Sequence, residues 1–472
     1  MKVAAVVLGP AGIGLVGLYT NLVSAAAAIS SLGVGTTAVR QVVIADSDGG
    51  ESALGRTRRA LFWGTLVVAT AGAIAVWLLS GWIARVFLSD ETRSGDVAWL
   101  ALGVALTVVA GSQTALLTGM RRVGDLARVN IAAAVVGALG GIVVLYLWPA
   151  KGVIVLVLVA PALSFLVGRL FIIRLDRPPG PRPSPSEIAR EWATMARPGV
   201  PFMLAGLVSL LGQLAVRTLV QRELGLDALG QFQAAWSISV TYLGFVLGAM
   251  AVGYVPRLSA AAKDRPLAAR LINEQIEVAL LLCAPIVLAM LAFAPWVIRL
   301  LYSAEFGPAV EILRWQLLGD ILKVVIWPLG FMCQAWGAGR VFLMTEAFGA
   351  AFLVLTVWIG LPHFGLAATG IAFLATYVLY LPLMWWLGWR WTEFRWTRSV
   401  SFQAIGVFAI AVLVDAVSRQ SDLWGAVLGG TVSAALMFWA LLRLSSLAGA
   451  EGRLNRVVVL GKKVTGWISR RS

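Results

Sequence analysis

Charge is scarce in this chain. Asp, Glu, Lys and Arg together make up 13% of its 472 residues, against roughly 25% in soluble domains. Apolar residues fill 60% of it and mean hydropathy is +0.87, which excludes an ordinary soluble domain and points to a polytopic membrane protein. Histidine occurs once, as His363 in a short PHFG loop, too isolated to build a metal site or a catalytic triad. Cys283 and Cys333 both lie inside apolar stretches, so they form no disulfide or metal framework and read as small buried hydrophobes. A G-x-x-x-x-G-K-[ST] loop is missing, which excludes ATP hydrolysis by that route. Signatures of acyl transfer, phosphoryl transfer and metallohydrolysis are missing too. The expectation is a non-enzyme with no cofactor and no metal, drawing any transport energy from an ion gradient, the membrane potential or the substrate's own gradient.

Apolar length is what the chain has in abundance. Windows long enough to span a bilayer, about 20 residues each, lie near 13–38, 60–88, 98–119, 129–148, 153–173, 199–221, 231–255, 275–300, 311–336, 341–360, 366–388, 399–417 and 424–442. Every second loop is basic: Arg40 to Arg59, Arg121 to Arg128, Arg174 to Arg197, Arg257 to Arg270, Arg340, Arg390 to Arg398, and the tail from Arg443. The opposite set holds little beyond Arg93, Lys151 and Arg419. By the positive-inside rule the C-terminus is cytoplasmic. The net charge of +15 then reports topology, and no nucleic-acid partner is expected.

The longest connection, 174–198, is rich in Pro and Arg and reads as a cytoplasmic, hinge-like linker. Its PSEIAREWATMAR stretch suits a short amphipathic helix in the interface. The expected plan is an N-terminal transmembrane lobe over 1–173, the linker over 174–198, a C-terminal lobe over 199–388, two further spans within 389–443, and a basic tail over 444–472 on the anionic cytoplasmic face. Only a short VAAVV run precedes GPAGIG, roughly 12 Å of helix against a core of about 30 Å. Counting back through thirteen spans puts Met1 outside. The expectation is a fourteen-helix protein whose translation begins about 15–25 residues upstream, the length that completes one span.

Ionisable and polar groups inside these spans are the candidates for function, because each costs several kcal/mol unless it faces protein, water or a charged passenger. Asp320 and Lys323 sit three apart in ILRWQLLGDILKVVIWPLGF. They can form an internal ion pair or line a cavity, the latter being favoured at that depth. Pro328 beyond them can kink the helix. Arg217 lies on a polar stripe with Gln213 and Gln221, and Arg222 follows; snorkelling to the interface is the rival reading. Asn21, Gln231, Gln233 and Trp236 offer amide and indole donors for sugar hydroxyls or for neighbouring helices. Arg40 and Glu346 sit near the cytoplasmic ends of their spans, with Arg340 a ready partner for Glu346. Gly12, Gly14 and Gly17 spell G-x-G-x-x-G, but the following segment spans the membrane and the next acid is Asp46. A tight turn between spans fits better than a dinucleotide site. Gly244 and Gly248 form a GxxxG, which favours close helix packing.

Three stretches carry a resemblance. GPAGIGLVGLY, LGLDALGQFQAAWSISVTYLGFVLGAMAVGYVPRLS and ILRWQLLGDILKVVIWPLGF resemble the O-antigen and polysaccharide lipid-carrier translocases of the multidrug/oligosaccharidyl-lipid/polysaccharide exporter superfamily, over nearly the whole chain. The resemblance implies an all-α fold of two pseudo-symmetric six-helix lobes enclosing a cavity, plus two C-terminal helices. It implies a bacterial inner-membrane flippase that moves an undecaprenyl-diphosphate-linked oligosaccharide to the outer leaflet by alternating access. Polysaccharide polymerase and glycosyltransferases would be its partners. Lys323, Arg217 and Arg40 would then line a path for the diphosphate, Asn21, Gln233, Trp236, Trp315 and Trp327 would meet the sugars, and Asp320 or Glu346 would couple to an ion. A cation-coupled multidrug exporter of the same superfamily and a non-transporting membrane scaffold of a polysaccharide pathway stay open as alternatives.

Overall fold

In hydrocarbon every backbone donor and acceptor needs an internal partner, and a helix supplies one for each. The computed structural model describes residues 2–47, 50–147, 152–174 and 184–447, and among these the chain is helical with no strand. The helices are α1 (Lys2–Ser31), α2 (Val34–Ser47), α3 (Gly50–Leu78), α4 (Ser80–Ile83), α5 (Ser94–Gly119), α6 (Val123–Leu147), α7 (Gly152–Ile173) and α8 (Pro185–Ala260). They continue with α9 (Arg265–Ala292), α10 (Ala294–Leu301), α11 (Ala309–Ala335), α12 (Gly339–Phe364), α13 (Ala368–Thr392), α14 (Arg398–Gln420) and α15 (Asp422–Leu447). The linker's Pro-rich start and the tail beyond 447 lie outside the described residues.

Eleven helical runs among the described residues are long and apolar enough to cross a membrane. Two of them, 199–260 and 339–392, run to 62 and 54 residues. A straight helix of the first length would measure about 93 Å, three times a hydrocarbon core of about 30 Å. Each of these runs therefore holds two of the expected spans, and each contains a break. The first bends at Gly225 (φ 86°, ψ 178°); the second is interrupted by the 3₁₀ turn Gly365–Ala367, with Gly365 at φ 54°. Counted this way, all thirteen apolar windows fall on helices.

Gly9 breaks α1 in the same manner as Gly225 breaks α8, with φ 63° and ψ −174°. Positive φ with ψ near 180° is essentially restricted to glycine. Both glycines follow a leucine and precede another glycine by five residues, in LGPAGIG and LGLDALG. The two segments are an internal repeat, and the structure brings them together. A Cβ on Gly14 would stand 2.8 Å from the Gly230 nitrogen, and one on Gly230 only 1.8 Å from the Pro10 oxygen. The glycine fingerprint is thus corrected: the turn is made at Gly9, while Gly14 and Gly17 lie inside the following helix as points of close approach. The GxxxG is corrected as well, since a Cβ at Gly244 or Gly248 meets nothing within 4 Å.

By packing, the chain divides into one unit of Met1–Gln233 with Gly339–Leu366 and a second of Ala234–Ala338 with Ala367–Ser472. Residues 199–233 and 339–366, assigned to the C-terminal lobe by sequence order, belong by contact to the first unit. In the first unit α3 and α7 pack on α5, and α2 packs on α3 and α5. The amphipathic start of α8 docks here. Ile188, Trp192 and Met195 join the core around Val42 and Leu61, and Trp192 lies so close over Gly64 that a Cβ there would be 2.1 Å from its ring. A capping box starts this helix: the Ser184 N–H donates to Glu187 Oε2 (2.7 Å) and the Glu187 N–H to Ser184 Oγ (3.3 Å). Those bonds from Ser184 hold the Glu187 carboxyl below its ordinary pKa. In the second unit α11 packs against both α9 and α13, while α14 and α15 pack on α9. Of α11's most apolar window 72% is buried, so its polar side chains must find protein partners.

Candidate functional site

Each unit holds a buried polar centre on which candidate residues fall. In the first, Arg217 of α8 is 3% exposed. Its Nε and Nη2 donate to Gln233 Oε1 at 3.2 and 3.1 Å, and its Nη1 donates to the Gln213 carbonyl at 3.1 Å. Its Cζ lies 5.6 Å from the centroid of the Phe232 ring. Gly17 makes this possible, because a Cβ there would stand 2.2 Å from Gln233 Oε1. The guanidinium therefore ties the two halves of α8 together across the Gly225 break. From the next residue onward, Thr218 donates to the Phe87 carbonyl (3.3 Å), Gln221 to that of Leu88, and Arg222 to that of Val86 and to Ser89 Oγ (2.9 Å). These residues satisfy carbonyls at the C-terminal end of the π-helical turn Ala84–Leu88, which lack partners within the turn itself. Of the polar stripe read around Arg217, Arg217 binds the Gln233 side chain and the Gln213 backbone, and Gln221 a backbone carbonyl.

Asn21 of α1 is 6% exposed, and its Oδ1 is buried without a partner. Glu346 of α12 accepts a hydrogen bond from Ser209 Oγ of α8. Arg40 falls on α2, and its side chain lies outside the described residues.

The second centre is built on α11. Asp320 is fully buried; its Oδ2 accepts from Ser239 Oγ and Tyr242 Oη, each at 2.8 Å, while Oδ1 is buried with no partner. Lys323 does not pair with it. Its Nζ stands 5.8 Å from the ring centroids of both Phe373 and Tyr377 on α13. Phe373 in turn takes the edge of Trp236 at 5.7 Å. The ammonium thus rests against aromatic faces, which attract a cation without neutralising it. One turn before Asp320, Gln316 is fully buried with both carboxamide atoms unpartnered. Trp327 stacks on Tyr254 and meets Phe331 edge to face, and the Tyr254 hydroxyl donates to the Pro328 carbonyl at 2.9 Å. Trp315 lies under the Arg419 guanidinium at 4.9 Å. Both tryptophans are engaged in packing.

Sequence reasoning brought Asp320, Lys323 and Trp236 to attention but missed Ser239, Tyr242, Phe373 and Tyr377. The signal was present as spacing. Trp236 and Ser239 are i,i+3 and Phe373 and Tyr377 are i,i+4, so each pair shares a helix face. A half-buried ammonium on an aromatic shelf can hold an anion. No group of three His, Cys, Asp or Glu side chains converges among the described residues.

Comparison with known proteins adds the following. The sequence model of a family described as "Polysaccharide biosynthesis protein" matches residues 3–311. The Lipid III flippase of Escherichia coli K12 is 24% identical over 391 residues, covering 81% of this chain and 91% of the relative, and that of Shigella flexneri matches equally. Among solved structures, an inward-facing multidrug resistance transporter of the MATE family aligns with a TM-score of 0.63 at 17% identity, over 83% of this chain and 95% of its own. The Lipid II flippase MurJ, in an inward closed conformation, aligns with a TM-score of 0.60 at 12% identity, over 90% of this chain and 96% of its own. Both likenesses concern the fold.

Proposed function

The chain belongs to the family of polysaccharide biosynthesis proteins, and from that premise we propose that it is a flippase. Its substrate is a lipid-linked glycan, an undecaprenyl-diphosphate-linked oligosaccharide such as an O-antigen repeat unit, moved from the cytoplasmic to the outer leaflet of the bacterial inner membrane by alternating access. The Lipid III flippase among its relatives supports the substrate class. One observation carries the reading: Lys323 is held at the depth of a membrane span, against Phe373 and Tyr377, and makes no direct ion pair with Asp320.

A diphosphate crossing hydrocarbon unaccompanied meets a prohibitive desolvation penalty, and a fixed ammonium lowers that penalty along part of the path. Phe373, Tyr377 and Trp236 give sugar rings a stacking surface beside it. Outward movement of negative charge is downhill in an inside-negative potential by about 2.3 kcal/mol per charge per 100 mV. Asp320 acts as the ion-responsive element. Protonation or sodium binding at its open Oδ1 changes the field at Lys323, one helical turn away, and so the grip on the passenger. A cationic drug would be repelled by the same ammonium, which sets this reading above a multidrug exporter. The C-terminus is cytoplasmic, and polymerase and glycosyltransferases supply and consume the cargo.

The test is transbilayer movement of a fluorescent polyprenyl-diphosphate saccharide in proteoliposomes. Wild-type protein is expected to move it and Lys323→Ala to fail while remaining folded. No movement above empty liposomes by folded wild-type protein, or equal movement by the variant, would overturn the proposal.

A further inference from the structure

The first unit holds a further cluster of cations. In the first unit α3, α5 and α7 leave a cavity of about 240 Å³ between them, lined by Arg58, Arg59 and Phe62 of α3, Ser112 and Gln113 of α5, and Arg169 of α7. We propose that this cavity binds the phosphate of a hydroxylated lipid headgroup, drawn from the leaflet that faces the basic loops.

Three features select that ligand. Three guanidinium groups border one cavity, and the planar fork of arginine matches phosphate oxygens in pairs. Arg169 is exposed and is held by the Phe62 ring, its Cζ 5.5 Å from the centroid, with no carboxylate on it. Its fork is therefore oriented but not neutralised. Gln113 is 7% exposed, and its Oε1 is buried with no partner. Glycine at 168 gives that carboxamide its room, since a Cβ there would lie 2.2 Å from the oxygen. An unpartnered acceptor beside cations asks for a ligand with a hydroxyl as well as a phosphate. A phosphoglycerol or phosphosugar headgroup has both, and a phosphocholine headgroup has no free hydroxyl.

The depth fits as well. Arg58 and Arg59 adjoin the basic Arg40 to Arg59 loop, Arg169 lies within four residues of the end of α7, and Gln113 within two turns of the end of α5. That is headgroup level on the basic side, where pockets between helices take anionic lipid heads. Phe62 and Trp63 are 39% and 52% exposed there, in keeping with aromatic anchoring at the interface. Two lipids share the required chemistry: an anionic phospholipid with a glycerol head, and a polyprenyl diphosphate bearing a glycan. The first makes the cavity a structural or regulatory lipid site, the second a loading site upstream of Lys323.

Native mass spectrometry of the detergent-purified full chain tests this without reference to transport. Wild-type protein is expected to retain phosphatidylglycerol over phosphatidylcholine by roughly tenfold, as several cations at an anionic surface would give. Arg58→Ala/Arg59→Ala/Arg169→Ala should lose the preference, with its elution and thermal unfolding as the check on folding. Gln113→Leu should weaken phosphatidylglycerol and leave phosphatidic acid, which has no head hydroxyl, unchanged. Should the triple variant not fold, Arg169→Ala against Arg169→Lys carries the same comparison, with Lys retaining binding. Competition by an undecaprenyl-diphosphate-linked saccharide would assign the site to the substrate, and failure to compete would assign it to phospholipid. Equal retention of the two phospholipids by wild-type protein, or undiminished preference in a folded arginine variant, would overturn the proposal.

Discussion

Arg217 and Lys323 are both cations inside membrane spans, yet their surroundings are opposite. Arg217 donates to Gln233 and to the Gln213 carbonyl and lies over Phe232; among the described residues Lys323 makes no ion pair and stands against the Phe373 and Tyr377 rings, and Asp320 beside it leaves one oxygen without a partner. A guanidinium whose donors are spent on its own chain is a clasp. An ammonium with donors to spare is a binding group. Buried charge therefore marks function only after its hydrogen bonds have been counted, and the count separates two residues that composition places in one class.

The sharpest way to break this comparison is to remove each cation in turn. Lys323→Ala is expected to lower transport by roughly two orders of magnitude, in line with losing a desolvated charge contact, with little change in thermal unfolding. Arg217→Ala should do the reverse, lowering stability by about 1–3 kcal/mol because Gln233 Oε1 loses its donors in a buried setting, while transport per folded molecule stays near wild type. Equal transport loss in both variants at equal stability would dissolve the distinction. Gly17→Ala tests the clasp from its other side. Overpacking against Gln233 should cost about 1–3 kcal/mol, and Gln233→Ala should relieve part of that cost, so that a double-mutant cycle of unfolding free energies is non-additive. Asp320→Asn is expected to change the rate by only a few-fold, roughly 1 kcal/mol, but to remove its dependence on pH or sodium. A rate already indifferent to both in wild-type protein would discard the coupling role.

The smallest effect is expected at Ser184→Ala, which removes the hydroxyl half of the capping box. Amide exchange should quicken over the first turn of α8 alone. Acidification should act similarly there. The Glu187 carboxyl is held below its ordinary pKa, so its contribution is present above the ordinary carboxylate range and fades as pH falls through the lowered value.

Much of the fold was legible because a bilayer imposes one length and one polarity on every span, and thirteen windows of that kind stand out in the sequence. The two long runs were legible only as pairs of windows. Their breaks rest on single glycines whose dihedrals composition does not reveal. At the site, spacing found Asp320 and Lys323 but implied that they face one another. Three residues on an α-helix turn through about 300°, which leaves the two side chains roughly 60° apart, enough for one to reach Ser239 and Tyr242 and the other Phe373 and Tyr377. Those partners lie 78 and 81 residues before Asp320 and on α13 after it. They were set by how α8, α11 and α13 rotate against each other, which no local pattern encodes. Gln221 was legible as polar, but not as a group committed to a backbone carbonyl.

Gly225 and Gly230 both demand glycine, for reasons that handedness can separate. Around Gly225 a Cβ meets nothing within 4 Å, and only the backbone sign forbids it, with φ at +86°. That conformation is the mirror image of an ordinary extended residue, so D-alanine placed there by chemical synthesis should fit where L-alanine strains. At Gly230, where a Cβ would lie 1.8 Å from the Pro10 oxygen, the objection is crowding by another stretch of main chain. Two glycines five residues apart thus record different histories of constraint: one keeps a direction of travel, the other keeps a distance.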